Sequence, residues 1–209
     1  MNRAFCALLA SFVVASTSTA ALIVTFVSPC ECHGERRGSR WTPKTDPSPV
    51  PLDKSAIQSV TPSQIYQWEG PGPNVPLTRK TETRMPSEQK WYNLTGRVVG
   101  LTVEVDGDIH IVLQDANGGR VGTVIAEIPV GRNWCEIRQA VFGWTTQSFP
   151  FSVITSHALK IRDQHVTRVT GKAFYDVAHA PANHSNRRPT PTEYAVWEIH
   201  PVMALHVDQ

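Results

Sequence analysis

The stretch Trp91-Tyr92-Asn93-Leu94-Thr95-Gly96-Arg97-Val98-Val99-Gly100-Leu101-Thr102-Val103-Glu104-Val105-Asp106-Gly107-Asp108-Ile109-His110-Ile111-Val112-Leu113-Gln114 decides the fold class. Its first part is β-rich, with Val98, Val99, Leu101, Val103 and Val105. Gly96 and Gly100 interrupt it, as glycine does at bulges and sharp bends. Asp106-Gly107 is a hairpin signal. Beyond it Ile109, Ile111 and Leu113 alternate with His110, Val112 and Gln114, the period-2 pattern of a half-buried strand. Working outward, Asp115-Ala116-Asn117-Gly118-Gly119 makes the next turn, and residues 121–128 read as a third strand ended by Pro129. The pattern then changes. Asn133 is placed to cap a short helix through Trp134, Cys135, Ile137, Arg138, Val141 and Phe142, with Gly143 at its end. Residues 145–157 form a less regular connection, 165–177 a fourth strand, 178–192 a polar loop and 194–207 the last strand. Three strands, a helix and two strands, with a bent and glycine-broken first strand, is the order of the OB-fold. The expectation is an all-β fold with little α: a five-stranded OB-like Greek-key barrel with one short helix, spanning residues 90–209. An open antiparallel sandwich is the rival architecture.

The 209 residues leave room for segments outside that barrel. Arg3 is the only charge before Glu31, residues 4–14 are apolar, and Ser16-Thr17-Ser18-Thr19-Ala20-Ala21 supplies small residues suited to cleavage. Residues 1–29 therefore read as a secretory signal peptide or, because the run stays uncharged to Cys30, as an uncleaved signal anchor. Either places the barrel outside the cytoplasm: secreted, periplasmic or membrane-anchored. Residues 30–89 carry prolines at 43, 47, 49, 51, 62, 71, 73, 76 and 86 and sparse apolar residues without a period, which predicts a flexible linker. Within it, residues 61–68 predict one helical turn whose Ile65, Tyr66 and Trp68 dock as a peptide arm. Outside the leader there are three cysteines, Cys30, Cys32 and Cys135; an oxidising compartment predicts one bridge and a spare thiol, with the pairing open. A net charge of +2 gives no global basic field for nucleic acid and no acidic tail.

The predicted strands are unusually polar. Asp108 and His110 share one strand face, Glu198 and His200 share another, Glu127 ends the third strand, and Asp176 and His179 flank the end of the fourth. Unpaired carboxylates and imidazoles are costly to bury, so the set predicts a polar site or a solvated face. If the faces meet, Asp108, His110, Glu198 and His200 are candidate ligands for a divalent metal ion, and Asp108, His110, Asp176, Glu198 and His200 candidate catalytic groups. Histidine also titrates near neutrality and suits acid–base work. There is no Ser-His-Asp string, phosphate-binding glycine loop or metalloprotease helix motif. Arg187-Arg188 reads as a solvated basic pair, and Tyr92, Trp134, Phe142, Trp144, Phe174, Tyr175 and Trp197 mainly as core.

The strings Asp106-Gly107-Asp108-Ile109-His110, Glu127-Ile128-Pro129, Thr170-Gly171-Lys172-Ala173-Phe174-Tyr175-Asp176 and Glu198-Ile199-His200-Pro201 resemble an uncharacterised family of exported bacterial OB-fold-like domains with DGDIH and ELHPV-like strings. The resemblance covers residues 91–207 and implies a shared domain without a known activity. In its Asp106-Gly107-Asp108 turn alone the chain is similar to staphylococcal-type nucleases, also OB barrels. The leading expectation is an extracytoplasmic binding module for a polymer or protein partner in the cell envelope, with nucleic acid a further ligand class and the membrane a partner through an uncleaved leader. The alternatives are a metal-dependent hydrolase of phosphodiesters and a structural envelope domain without ligand.

Overall fold

The computed structural model describes residues 23–34, 38–119 and 122–208. The leader reading therefore falls outside the described residues as far as residue 22. From there the chain belongs to the fold. Strand β1 (Val24–Ser28) turns back into β2 (Glu31–His33), and Val24 and Phe26 are buried. Next come a short helix α1 (Trp41–Lys44), strand β3 (Ile57–Val60) and helix α2 (Pro62–Tyr66). Then follow β4 (Trp91–Val103), β5 (Ile109–Gln114), β6 (Val124–Ile128) and α3 (Cys135–Gly143). The chain ends with β7 (Phe151–Val153), β8 (His157–Ala158), β9 (Val166–Tyr175) and β10 (Trp197–Asp208). Among the described residues no helix is long and apolar enough to cross a membrane.

The sheet runs β4-β5-β6-β10-β9, and β9 pairs back onto β4 to close a five-stranded barrel. All of its pairings are antiparallel except β6 with β10, where Ile199 faces Ala126 in a parallel register. With α3 between the third and fourth barrel strands, this is the OB-like Greek key expected from the strand order. The first strand can serve two neighbours because it is long and irregular: residues 91–97 pair with β9 and residues 97–103 with β5, with a register shift between Val98 and Gly100. Gly107 turns β4 into β5 at φ 95°, a left-handed conformation that a side chain resists. The helix differs in one detail. Trp134, not Asn133, stands at its N-cap, no side chain caps it, and Asn133 lies in the preceding 3-10 turn, Arg132–Trp134.

Alternation sorts β5 cleanly. Ile109, Ile111 and Leu113 are fully buried inside the barrel, while His110, Val112 and Gln114 point outward and are half-buried. In β6, the end of β9 and the start of β10 both faces are buried, so a second layer covers the outside of the barrel there. That layer is the segment predicted to be a flexible linker. Residues 38–89 fold against the barrel. β3 pairs in parallel with Trp91–Leu94, extending the sheet, and α2 forms behind a Thr61–Gln64 capping box with Ile65 fully buried. The predicted turn is present; the flexibility is not.

The arm lacked a periodic signal because a few polar anchors hold it, rather than an apolar face. Arg40, fully buried, grips Glu88 with two hydrogen bonds of 2.7 and 2.8 Å and also donates to the carbonyls of Tyr175, Thr81 and Thr83. Glu88 in turn accepts from the backbone N–H of Tyr175 on β9 and of Met85. Arg84 donates to the carbonyls of Ala173 on β9, His200 on β10 and Pro43. Lys172 on β9 reaches Asp46 at 2.7 Å. A disulfide joins Cys30 in the β1–β2 turn to Cys135 at the start of α3, and among the described residues Cys32 is the free thiol, half-buried.

Removing one partner of a buried pair strands the other charge, so Glu88→Ala should lower unfolding stability by about 3–5 kcal/mol in urea titration; a loss below about 1 kcal/mol would contradict the clamp. Limited proteolysis should also spare residues 38–89 of the wild-type chain and cut them in that variant. Burial disfavours the Asp46 carboxylate, but hydrogen bonds from Lys172 and Ser48 outweigh it and lower its pKa to about 2. A depressed carboxylate stabilises the fold above its unfolded pKa near 3.8 and loses that contribution as pH falls through 2. Asp46→Asn should therefore remove about 1 kcal/mol of stability at neutral pH, solvent screening discounting the pair, and flatten acid destabilisation between pH 4 and 2. An unchanged acid slope would show that the Lys172 pair contributes nothing.

Candidate functional site

Register brings most of the predicted polar residues together on the outside of the barrel. His110 on β5 lies directly opposite Glu127 on β6. Ile199 and Ala126 are paired and both point into the barrel, so Glu198 and His200 share the outer face with Glu127. Asp108 joins them from the turn before β5. Its backbone N–H donates to Asp106, and its Oδ1 accepts from the Val130 N–H, which leaves Oδ2 directed at His200. The row is not a solvated face. Asp108, Glu198 and His200 are fully buried and Glu127 nearly so, beneath the arm residues Lys44 and Arg84.

Glu127 is the node. Its Oε1 lies 2.9 Å from His110 Nε2, and its Oε2 lies 2.8 Å from His200 Nδ1 and 3.5 Å from Lys44 Nζ. Burial opposes its charge, but His110, His200 and Lys44 hold the carboxyl well below the usual range. Reciprocally, burial opposes a charged His110, yet Glu127 and, more weakly, Glu104 raise its imidazole to about 9. Asp106, at the rim, is pushed up to about 6 by burial and by the neighbouring Asp108 charge.

His200 has an unusual setting. Its Nδ1 approaches Glu127 Oε2 at 2.8 Å and its Nε2 approaches Asp108 Oδ2 at 3.5 Å, but neither contact is aligned as a hydrogen bond. Both ring nitrogens, Asp108 Oδ2 and Glu127 Oε2 are thus buried without a hydrogen-bonding partner. Phe174 packs against the ring at 5.3 Å between centroids. Asp108, Glu127 and His200 each offer a ligand atom within 4.8 Å of the others.

The remaining predicted residues form a second group. Glu198 is held by Arg188, which also lies 3.7 Å from Asp176, and Asp176 contacts the His179 ring. Burial and the charges of Glu127 and Asp176 push the Glu198 carboxyl well above the usual range despite Arg188. Asp176 is lowered: burial opposes its charge, and the His179 hydrogen bond overcomes that cost. So Asp108 and His200 meet, His110 stands on the far side of Glu127, and Glu198 and Asp176 are engaged by Arg188. The Arg187-Arg188 pair is not a solvated loop. Arg188 is buried in this network, and the Arg187 guanidinium stacks over Tyr66 at 3.5 Å. Sequence reasoning left Glu127 out of the metal set and missed Lys44 altogether. Glu127 did carry a signal, as a carboxylate near the end of an apolar predicted strand; Lys44 had no local signal.

A different part of the surface is open. Trp68 of the arm, Tyr92 of β4 and Trp197 of β10 form an aromatic cluster with centroid separations of 4.8 and 6.0 Å from Trp68. They line a cleft of about 450 Å³ with Gln58, Glu69, Ser87 and Lys90 at its edges. A second cleft of about 440 Å³ continues past Trp68 and Glu69 to Asn183, His184 and Arg187. Tyr92 and Trp197 are almost fully buried, as are the other five aromatics read as core, while Trp68 is half-exposed.

Comparison with protein-family models, with curated proteins and with solved structures gave no match. The site's own geometry therefore carries the functional argument.

The protonation pattern predicts opposite behaviour for two neighbouring glutamates. Glu127→Gln strands His110, His200 and Lys44 and should cost about 3 kcal/mol or more in a urea titration at neutral pH. Glu198→Gln keeps a hydrogen-bond acceptor for Arg188 at a carboxyl whose charge is opposed by burial and by Glu127, and should cost less than Glu127→Gln. The reverse order would show that Glu198 is the charged member of the row.

Proposed function

We propose that the chain is an extracytoplasmic OB-like binding module for an extended polymer or a protein segment of the cell envelope. The observation that carries this reading is the pair of adjoining open clefts that share Trp68 and Glu69. The half-exposed Trp68 ring, backed by the buried Tyr92 and Trp197, gives a stacking surface tolerant of sequence, and Gln58, Glu69 and Lys90 line the same cleft with polar groups. The groove is not on the outer face of the second and third barrel strands, where OB barrels commonly bind, because the polar row occupies part of that face here. Export is supported by the leader, whose only charged side chain is Arg3 and which ends in small residues, and by the Cys30–Cys135 disulfide, a bond suited to an oxidising compartment. Strand β1 reaches back to Val24, so a membrane anchor would have to end before it.

The hydrolase reading has less support. The acid–histidine row is buried under the arm, with only the His110 edge, at 18% side-chain exposure, reaching the surface. Lys44 and Arg84 lie against Glu127 and His200 at the centre of the row.

Glycan and peptide arrays, followed by titration of any hit, test the proposal. Wild-type protein should retain an extended ligand, retention should survive chelator, and Trp68→Ala should weaken it by about tenfold or more with an unchanged circular dichroism spectrum. Absence of any retention, or binding indifferent to Trp68, would contradict it.

A further inference from the structure

We propose that Asp108, Glu127 and His200 form a buried divalent-cation site, with Zn²⁺ as the ion their chemistry favours. The cluster satisfies the first requirement of such a site, two carboxylates and one imidazole whose ligand atoms lie within 4.8 Å of one another. A second observation is independent of that proximity. Asp108 Oδ2, Glu127 Oε2 and both nitrogens of His200 are sealed from solvent with no hydrogen-bonding partner. Buried polar atoms are nearly always satisfied, and Asp108 Oδ2, Glu127 Oε2 and one of the two His200 ring nitrogens call for a partner that can accept a lone pair from each. A water cannot accept lone pairs from two carboxylates and an imidazole at once. A divalent cation can.

The rest of each side chain is placed as a metal ligand requires. The Asp108 carboxylate is oriented by the Val130 N–H through its other oxygen. Glu127 is oriented by His110 through Oε1, which leaves Oε2 turned toward His200. Such supporting hydrogen bonds fix ligand geometry and raise ligand basicity. The mixed nitrogen and carboxylate set suits Zn²⁺ among common divalent ions, whereas Mg²⁺ prefers oxygen donors and retains its waters. Three donors, two from strands and one from the β4–β5 turn, leave a fourth position to a water. The bound charge would offset the two carboxylates and tie the β4–β5 turn to β6 and β10 beneath the arm. The site is separate from the aromatic clefts, none of whose lining residues belongs to it.

The alternative is a proton: a charged His200 bridging the two carboxylates with no ion present. Metal analysis of full-length protein purified without chelator separates the two. The proposal predicts one Zn²⁺ per chain, its loss on dialysis against chelator, a melting temperature that then rises with added Zn²⁺, and a visible Co²⁺ spectrum when cobalt replaces it. Asp108→Asn and His200→Asn should each weaken Zn²⁺ binding by at least tenfold, while His206→Asn, an exposed histidine away from the row, should not. The cobalt spectrum is read on the wild-type chain, so it stands even if the variants fold poorly. A substoichiometric metal content with no Zn²⁺-dependent melting shift and no cobalt spectrum would overturn the proposal, as would full Zn²⁺ binding by a folded His200→Asn. None of these readouts depends on polymer retention, so the site and the binding groove stand or fall separately.

Discussion

The buried Arg40–Glu88 pair is the constraint on which the outer layer depends. A guanidinium and a carboxylate with no solvent exposure are tolerable only because every bonding direction is used. Arg40 collects three carbonyls as well as the carboxylate, and Glu88 collects two backbone N–H groups. This network binds two points of the arm, more than forty residues apart, to the end of β9. Arg84 and Lys172 extend the same device along β9 and β10. Without it, a proline-rich stretch with few apolar residues would not offset its own ordering entropy.

What the clamp covers explains its strength. The outer face of β5, β6 and β10 carries acids and histidines that would normally sit in water. Sealing them away forces each to find a partner, and most do. Glu127 takes His110, Glu198 takes Arg188, and Asp176 takes His179. The exceptions gather at His200, between Asp108 and Glu127. The same covering layer supplies Trp68, which turns a plain barrel edge at Tyr92 and Trp197 into an aromatic cleft. One segment thus closes one face of the barrel and shapes another.

The barrel was legible because its signals are local. Alternation at Ile109 to Gln114, the Asp106-Gly107 turn and the glycines of β4 each act over a few residues. The three-residue β7 was too short to show a period. The arm was not legible, since its anchors Arg40, Ile65, Leu77, Arg84 and Glu88 are widely spaced and two of its strongest contacts are to backbone carbonyls of distant strands. The site was legible in part. Asp108, His110 and His200 announced themselves as polar residues in apolar strands. Their union required the registers of β5 with β6 and β6 with β10, which depend on long-range pairing. The parallel contact between β6 and β10 spans some seventy residues, and no short-range pattern encodes it.

The account rests on the arm being part of the folded domain, and amide hydrogen exchange measures that directly. The amides of Ile57–Val60 and Ile65, and the Tyr175 amide that bonds Glu88, should exchange with the slow, cooperative protection of the barrel strands. Fast exchange throughout residues 38–89 beside a protected barrel would contradict it. The polar row would then be a solvated face, and the aromatic cleft would lose one of its walls.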